Sequence, residues 1–150
     1  MLAGEIEILL SKLNGSGSDE EFAAVESLQA TGMLPALLLS KYHRSRAWQQ
    51  RASCVYHAVK YSRESQDAFE LGVNALKDKS KVVRYRATML LAVSQRRDAT
   101  PHLRKLEALG NVSAPDAKAA IQAIEASDPN LFVDRDGSGM VTLHVHGVDR

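Results

Sequence analysis

The chain has 150 residues, 45% of them apolar and 25% charged, a net charge of +1, and a single cysteine, Cys54. That length buries a sizeable core and gives no ground for a second domain, so residues 1–150 are read as one unit. A lone thiol excludes an internal disulfide, no apolar stretch approaches the roughly 20 residues of a bilayer crossing, and "MLAGEIEILLSKL" lacks the basic start of a secretory signal, so a cytoplasmic protein without a membrane partner is expected.

Helical signals run from the first residue to about 127. Leu2, Ile6, Leu9, Leu10 and Leu13 recur at helical spacing, and Asn14-Gly15 closes that helix. Ser18 is the candidate N-cap of a second helix, with Glu21 placed to complete a capping box and Gly32 to take the left-handed C-terminal position. Pro35 suits the first turn of a third, "LPALLLSKY". Then come "SRAWQQRASCVYHAVKY", "SQDAFELGVNAL", "SKVVRYRATMLLAVS", "TPHLRKLEAL", with Thr100 read as N-cap and Pro101 at N1, and "SAPDAKAAIQAIEA".

Past residue 127 the period changes. "NLFV" is a short apolar run, and "MVTLHVHGV" alternates Val141, Leu143 and Val145 against Thr142, His144 and His146, the period of a strand. The two runs predict a β-hairpin turning at "DRDGSG", with Leu131, Val133, Val141, Leu143 and Val145 covering the last helix pair. Asp134, Asp136, Ser138 and Gly139 match the first half of a calcium loop, but Val145 stands where the bidentate Glu belongs and a strand pattern follows where a helix should. A turn without metal is expected. His144 and His146 would share one strand face, and two ligands without a third do not make a metal site.

The helical segments repeat. Aligning Ser45 with Ser80, an offset of 35, also pairs Arg51 with Arg86, Ala52 with Ala87, Ser53 with Thr88 and Val55 with Leu90. A third copy begins at Ser113, which puts Ala120 under Ala87 and Ile124 under Leu91. A period in this range means helical hairpins that must stack to bury their apolar faces. "ALKDKSKVVRYRATMLLAV", residues 75–93, resembles the HEAT repeat: a helix ending in Leu, then Asp, then the Val83-Arg84 pair, then Ala87 and aliphatic residues at helical spacing. Trp48-Gln49 and Asp116-Ala117 stand in place of that pair in the other copies.

The resemblance implies a predominantly all-α fold: a right-handed α–α solenoid of short HEAT-like repeats over residues 33–127, with atypical helices over 1–32 and the hairpin over 128–150 as a cap. It also implies that Arg84 joins a ladder with Asp78, and that the second helix of each pair lines a concave face.

Between Lys41 and Lys105 stand fifteen Lys and Arg against five Asp and Glu, and the flanks hold four against thirteen. A basic segment is the footprint of an anionic partner, and equally the dress of solvated helix faces. Arg46, Arg51, Lys81 and Arg86 recur in the 35-residue alignment and are the candidate basic strip. Trp48 and Tyr85 flank them and complete the candidate partner-binding set: exposed, they stack on a base or anchor a partner's side chain; buried, which is the expectation for an aromatic in an apolar helix, they fill the gap between helices. His43, His57 and His102 have no nucleophile identifiable beside them, and no Walker, dinucleotide or zinc-ligand motif occurs, so neither an enzyme nor a cofactor is expected.

The expected function is a non-catalytic adaptor, or an inhibitor resembling an immunity protein, in a bacterial cytoplasm, presenting a basic groove to an acidic protein rather than to a small molecule. The alternative is nucleic-acid binding, as implied by similarity to the HEAT-like alkylpurine DNA glycosylases, whose catalytic acid has no recognisable counterpart in Asp67 or Asp78. HEAT-like bilin lyases share the repeat and offer no residue to map.

Overall fold

Why helices form where they do is visible at their caps. In the computed structural model, which describes residues 1–145, the Ser18, Ser65 and Ser80 hydroxyls accept hydrogen bonds from the backbone N–H of Glu21, Ala68 and Val83, each cap contributing about 1 kcal/mol. Gly32 takes the left-handed conformation, φ +71°, that ends the second helix. The α-helices are α1 (Ala3–Ser11), α2 (Asp19–Gln29), α3 (Leu34–Arg44), α4 (Trp48–Ala58), α5 (Gln66–Ala75), α6 (Lys81–Ser94), α7 (Thr100–Ala108) and α8 (Ala114–Glu125). Short 3-10 turns follow α4, precede α7 and close the helical region at Pro129–Phe132. Thr100 does not cap α7: the chain is already helical through Arg97–Ala99, so the N-cap position falls on Ala99.

Helices adjacent in sequence pack as pairs, α1 on α2, α3 on α4, α5 on α6 and α7 on α8. Across pairs, α4 packs on α6 and α6 on α8, while α3 packs on α5. Helices α4, α6 and α8 therefore form one layer and α3 and α5 lie side by side against it, with a continuous apolar core that runs from Leu10 to Leu143. Among the described residues there is no strand, and no helix is long and apolar enough to cross a membrane.

The repeat register differs from the sequence alignment. The N-cap positions of α4, α6 and α8 are Ala47, Ser80 and Ser113, each 33 residues after the one before. The offset of 35 arose from matching Ser45 to the capping Ser80, whereas the Ser45 hydroxyl turns back to donate to the Lys41 carbonyl at the end of α3, 2.7 Å away. In the structural register Arg51 corresponds to Arg84, and Arg86 to Ser53. Cys54, Ala87 and Ala120 now share one position, all fully buried, and a small residue there lets neighbouring helices approach closely.

The β-hairpin is corrected too. "NLFV" is part of a 3-10 turn because Asp128 accepts the Asn130 N–H through its side chain and Pro129 pre-sets the first helical φ, and Phe132, at its end, is fully buried. The Asn130 amide then does what a partner strand would do: its Nδ2 donates to the Val141 carbonyl at 3.2 Å and its Oδ1 accepts the Leu143 N–H at 2.6 Å. Leu143 is buried, Leu131, Val133 and Val145 pack against the core, and Val141 remains exposed. At "DRDGSG" the buried Asp134 carboxylate accepts from the Gly139 N–H at 2.8 Å and the Ser138 hydroxyl at 3.2 Å, so its oxygens tie the turn together. Among the described residues no three His, Cys, Asp or Glu side chains gather as a metal would require. His146 lies outside the described residues.

Candidate functional site

The sequence-predicted site residues divide into three groups. Arg46 and Lys81 are exposed at the starts of α4 and α6. Arg51 is engaged: its Nε donates to Asp78 Oδ2 at 2.8 Å and its Nη2 to Oδ1 at 3.0 Å, with 16% of its side chain exposed. Arg86 lies over the ring of Tyr56, 4.7 Å from the centroid. Trp48 and Tyr85 are not buried as expected but 43% and 37% exposed. Tyr85 leans on Phe132, ring centroids 5.5 Å apart, and Trp48 is the first residue of α4.

The expected Arg84–Asp78 carboxylate pair is replaced by a regular device. Arg51 and Arg84, both fourth in their helices, use Nη1 to bind carbonyls five and six residues back: Arg46 and Ser45 for one, Lys79 and Asp78 for the other. Both then reach into the next hairpin, Arg51 to the Asp78 carboxylate and Arg84 to the Ser113 hydroxyl at 2.7 Å. Asp78 also accepts from the Tyr42 hydroxyl at 2.7 Å and the Ser80 N–H at 2.9 Å. Burial alone would raise its pKa, but these donors, Arg51 foremost, outweigh it and hold the carboxyl below the usual range. The basic middle segment thus spends part of its charge internally, with Arg44 on Glu7 and Arg104 on Glu125 tying it to the acidic flanks.

Trp48 and Arg86 meet at a cleft. It encloses about 380 Å³ between the 15–17 loop, α2, α4 and α6, with Phe22, Ala52, Tyr56 and Val82 also in its walls. The loop is pressed onto α4: a Cβ at Gly15, which has φ +83°, would come within 2.5 Å of the Gln49 carbonyl oxygen, so only glycine fits.

Beneath this cleft lies a buried polar cluster that the sequence did not reveal. Glu21 Oε2 accepts from the Ser53 hydroxyl at 2.8 Å and stands 2.7 Å from His57 Nε2, while Oε1 accepts the N–H of Gly15 at 2.9 Å and of Gly17 at 3.3 Å. The capping box is therefore half formed: Ser18 caps the Glu21 N–H, but the Glu21 carboxylate ties the preceding loop instead of Ser18. Burial opposes its charge, yet the hydrogen bonds from His57, Ser53 and Gly17 hold its pKa below the ordinary value. Burial also disfavours the imidazolium of His57, more than Glu21 favours it, and nearby Arg86 and Lys60 push the same way. His57 is accordingly neutral near pH 7, its Nε2 hydrogen directed at Glu21. Ser53 bonds the carboxylate and not the imidazole, so the three do not form a nucleophilic triad.

A second cleft of about 300 Å³ opens on the other side of Phe22 and Tyr56, lined also by Val25, Glu26, Gln29, His57, Lys60 and Val145. Comparison with protein-family models, curated proteins and solved structures finds no match to this chain.

Proposed function

We propose that the chain is a non-catalytic protein-interaction module, a short α-solenoid of HEAT-like repeats, whose Trp48 cleft anchors an acidic protein partner. The reading rests on one observation: a tryptophan 43% exposed at the rim of an aromatic-walled cleft that also holds Arg86. Leaving that much indole in water is costly unless something covers it, and Trp and Arg are the residue types that most often dominate interfaces. Arg46 and Lys81 supply further positive charge near the same helix starts. The 33-residue spacing of N-caps, the two helix layers and the arginines that link successive hairpins support the solenoid part of the reading. Nucleic-acid binding is the second reading; the pairing of Arg51 with Asp78 removes one cation from the strip it would need.

The test uses fluorescein-labelled 12-residue peptides that vary independently in Asp/Glu and aromatic content, titrated alongside mixed-sequence duplex and single-stranded oligonucleotides at several salt concentrations. Binding confined to acidic peptides with an apolar anchor, and lost in Trp48→Ala and Arg86→Glu, supports the module. Steeply salt-dependent oligonucleotide binding, lost when Arg46 and Lys81 become Glu, transfers the surface to nucleic acid. Silence from both kinds of probe would sink both readings.

A further inference from the structure

The first hairpin is apolar on its solvent side as well as on its buried one. Leu10 and Leu13 are buried, and Ile6 and Leu9 pack against the core, which accounts for the side of α1 that meets the rest of the fold. Yet Leu2 is 73% and Ile8 62% exposed, and Met1 and Ile6 line a cleft of about 390 Å³ with Ala30, Thr31 and Met33, where Met1 and Met33 are themselves exposed. Since α1 and α2 begin the stack of helix pairs, they occupy the position where a repeat protein needs a polar outer side to stay single in water. Aliphatic side chains stand there instead.

Charge says what covers them. Glu5, Ile8 and Lys12 follow one another at steps of three and four residues, so they run along one side of α1 and its C-cap with Ile8 in the middle. Glu5 is exposed and makes no ion pair among the described residues, while Lys12 reaches Glu20 at 3.4 Å, a contact of little worth because 69% of the Glu20 side chain is in water. An acid one turn before the isoleucine and a base one turn after it is a self-complementary order. Laid antiparallel on a copy of itself about Ile8, α1 sets each Glu5 against Lys12 of the other copy; laid parallel, it would face like charge with like.

We infer that the outer side of α1 is the interface of a homodimer, in which two copies pack α1 antiparallel across a two-fold axis, Ile8 against Ile8 at the centre and a Glu5–Lys12 pair on either side. Such an isologous contact covers the same patch on both chains and closes the assembly at two. The isoleucines supply the apolar burial, and the charge pairs fix direction and register. One short helix from each copy buries less than the roughly 1,600 Å² of a standard interface, so the dimer is a weak one that dissociates in the micromolar range. None of Glu5, Ile8 and Lys12 lines the Trp48 cleft, and the inference does not rest on the function proposed above.

The experiment is sedimentation velocity of the full chain from roughly 1 to 500 μM, the range of a weak interface, after circular dichroism has shown that each variant keeps its helices. Expected are a monomer–dimer equilibrium in the unaltered chain and a dissociation constant about tenfold higher or more in Ile8→Asp, in Glu5→Lys and in Lys12→Glu, each taken singly. Mixed in equal amounts, the Glu5→Lys and Lys12→Glu chains should dimerise at least as tightly as the unaltered chain, because both charge pairs are then opposite in sign within one heterodimer. A purely structural role for either residue gives no such rescue. An unaltered chain that stays monomeric throughout, a dimer indifferent to Ile8→Asp, or a mixture that fails to associate each overturns the inference. Growth beyond dimers overturns the two-fold contact, as does loss of association in Arg86→Glu, which would seat the acidic α1 in the Trp48 cleft of another copy.

Discussion

The Arg51 guanidinium and the Asp78 carboxylate face each other as two parallel hydrogen bonds across the junction of successive helical hairpins, α3/α4 and α5/α6. This fork-on-fork geometry suits arginine, and it places a fully charged pair where 4% of the Asp78 side chain reaches solvent. Removing Arg51 would leave Asp78 with Tyr42 and Ser80 but no countercharge. Arg51→Ala is therefore expected to cost about 3–5 kcal/mol of stability, and Arg51→Lys to recover only part, since an ammonium lacks the planar fork that makes two parallel bonds to the carboxylate while also donating to the Arg46 and Ser45 carbonyls. Urea denaturation of the two variants checks this. A loss below 1 kcal/mol, typical of a surface pair, would show that Arg51 is free for other work.

Those two residues also show how far the sequence could be read. Caps, breaks and helical periods are local, so Ser18, Gly32 and Pro35 mark helix ends correctly. The repeat itself is legible, but its register turns on whether Ser45 caps the helix ahead or the one behind, a choice made by the fold around Lys41. That two-residue error is what separated Arg51 from Arg84 and promoted Arg51 to the surface strip. The strand period of Val141, Leu143 and Val145 is real in its effect, since Leu143 and Val145 turn inward, but no pattern rule foresees one asparagine side chain standing in for a strand. Glu21 and His57, 36 positions apart, carry no local motif that joins them.

Acid should weaken the fold through that buried cluster. His57 has its pKa lowered from an ordinary value of 6.5, so the unfolded chain takes up a proton more readily than the native one. Stability is then full above pH 6.5 and falls as pH drops through and below it, by up to about 1.4 kcal/mol per pH unit for one group. Glu21, also lowered, adds a second loss that begins only below its ordinary value of 4.5. Urea midpoints at pH 7.5, 6.5 and 5.5 give the slope. His57→Gln, which keeps an amide donor near Glu21, is expected to flatten it; an unchanged slope would place the titrating group elsewhere.

Cys54 is expected to be chemically silent in the native state. It is fully buried in α4, and burial pushes its thiol up to about 12, so the reactive thiolate is scarce at neutral pH. A disulfide-exchange reagent such as DTNB should react stoichiometrically in guanidinium chloride and hardly at all in native buffer. Prompt reaction of the native chain would show that α4 opens locally without global unfolding.

Trp48 gives the most direct optical test of the proposed surface, because it is the only tryptophan in the chain. With 43% of the residue exposed, acrylamide should quench its native emission readily, and Trp48→Ala, which removes the covered part of the indole as well, should cost about 1–3 kcal/mol. Arg86→Glu removes the cation over Tyr56, about 0.5–1 kcal/mol of stabilisation, and leaves the cleft walls in place. An acidic peptide that occupies the cleft must therefore shield Trp48 from acrylamide in the unaltered chain and fail to do so in the Arg86→Glu variant, whose tryptophan remains as exposed as before. If the peptide bound with full affinity while quenching was unaffected, its contacts would have to lie away from Trp48 and the anchor would be misplaced.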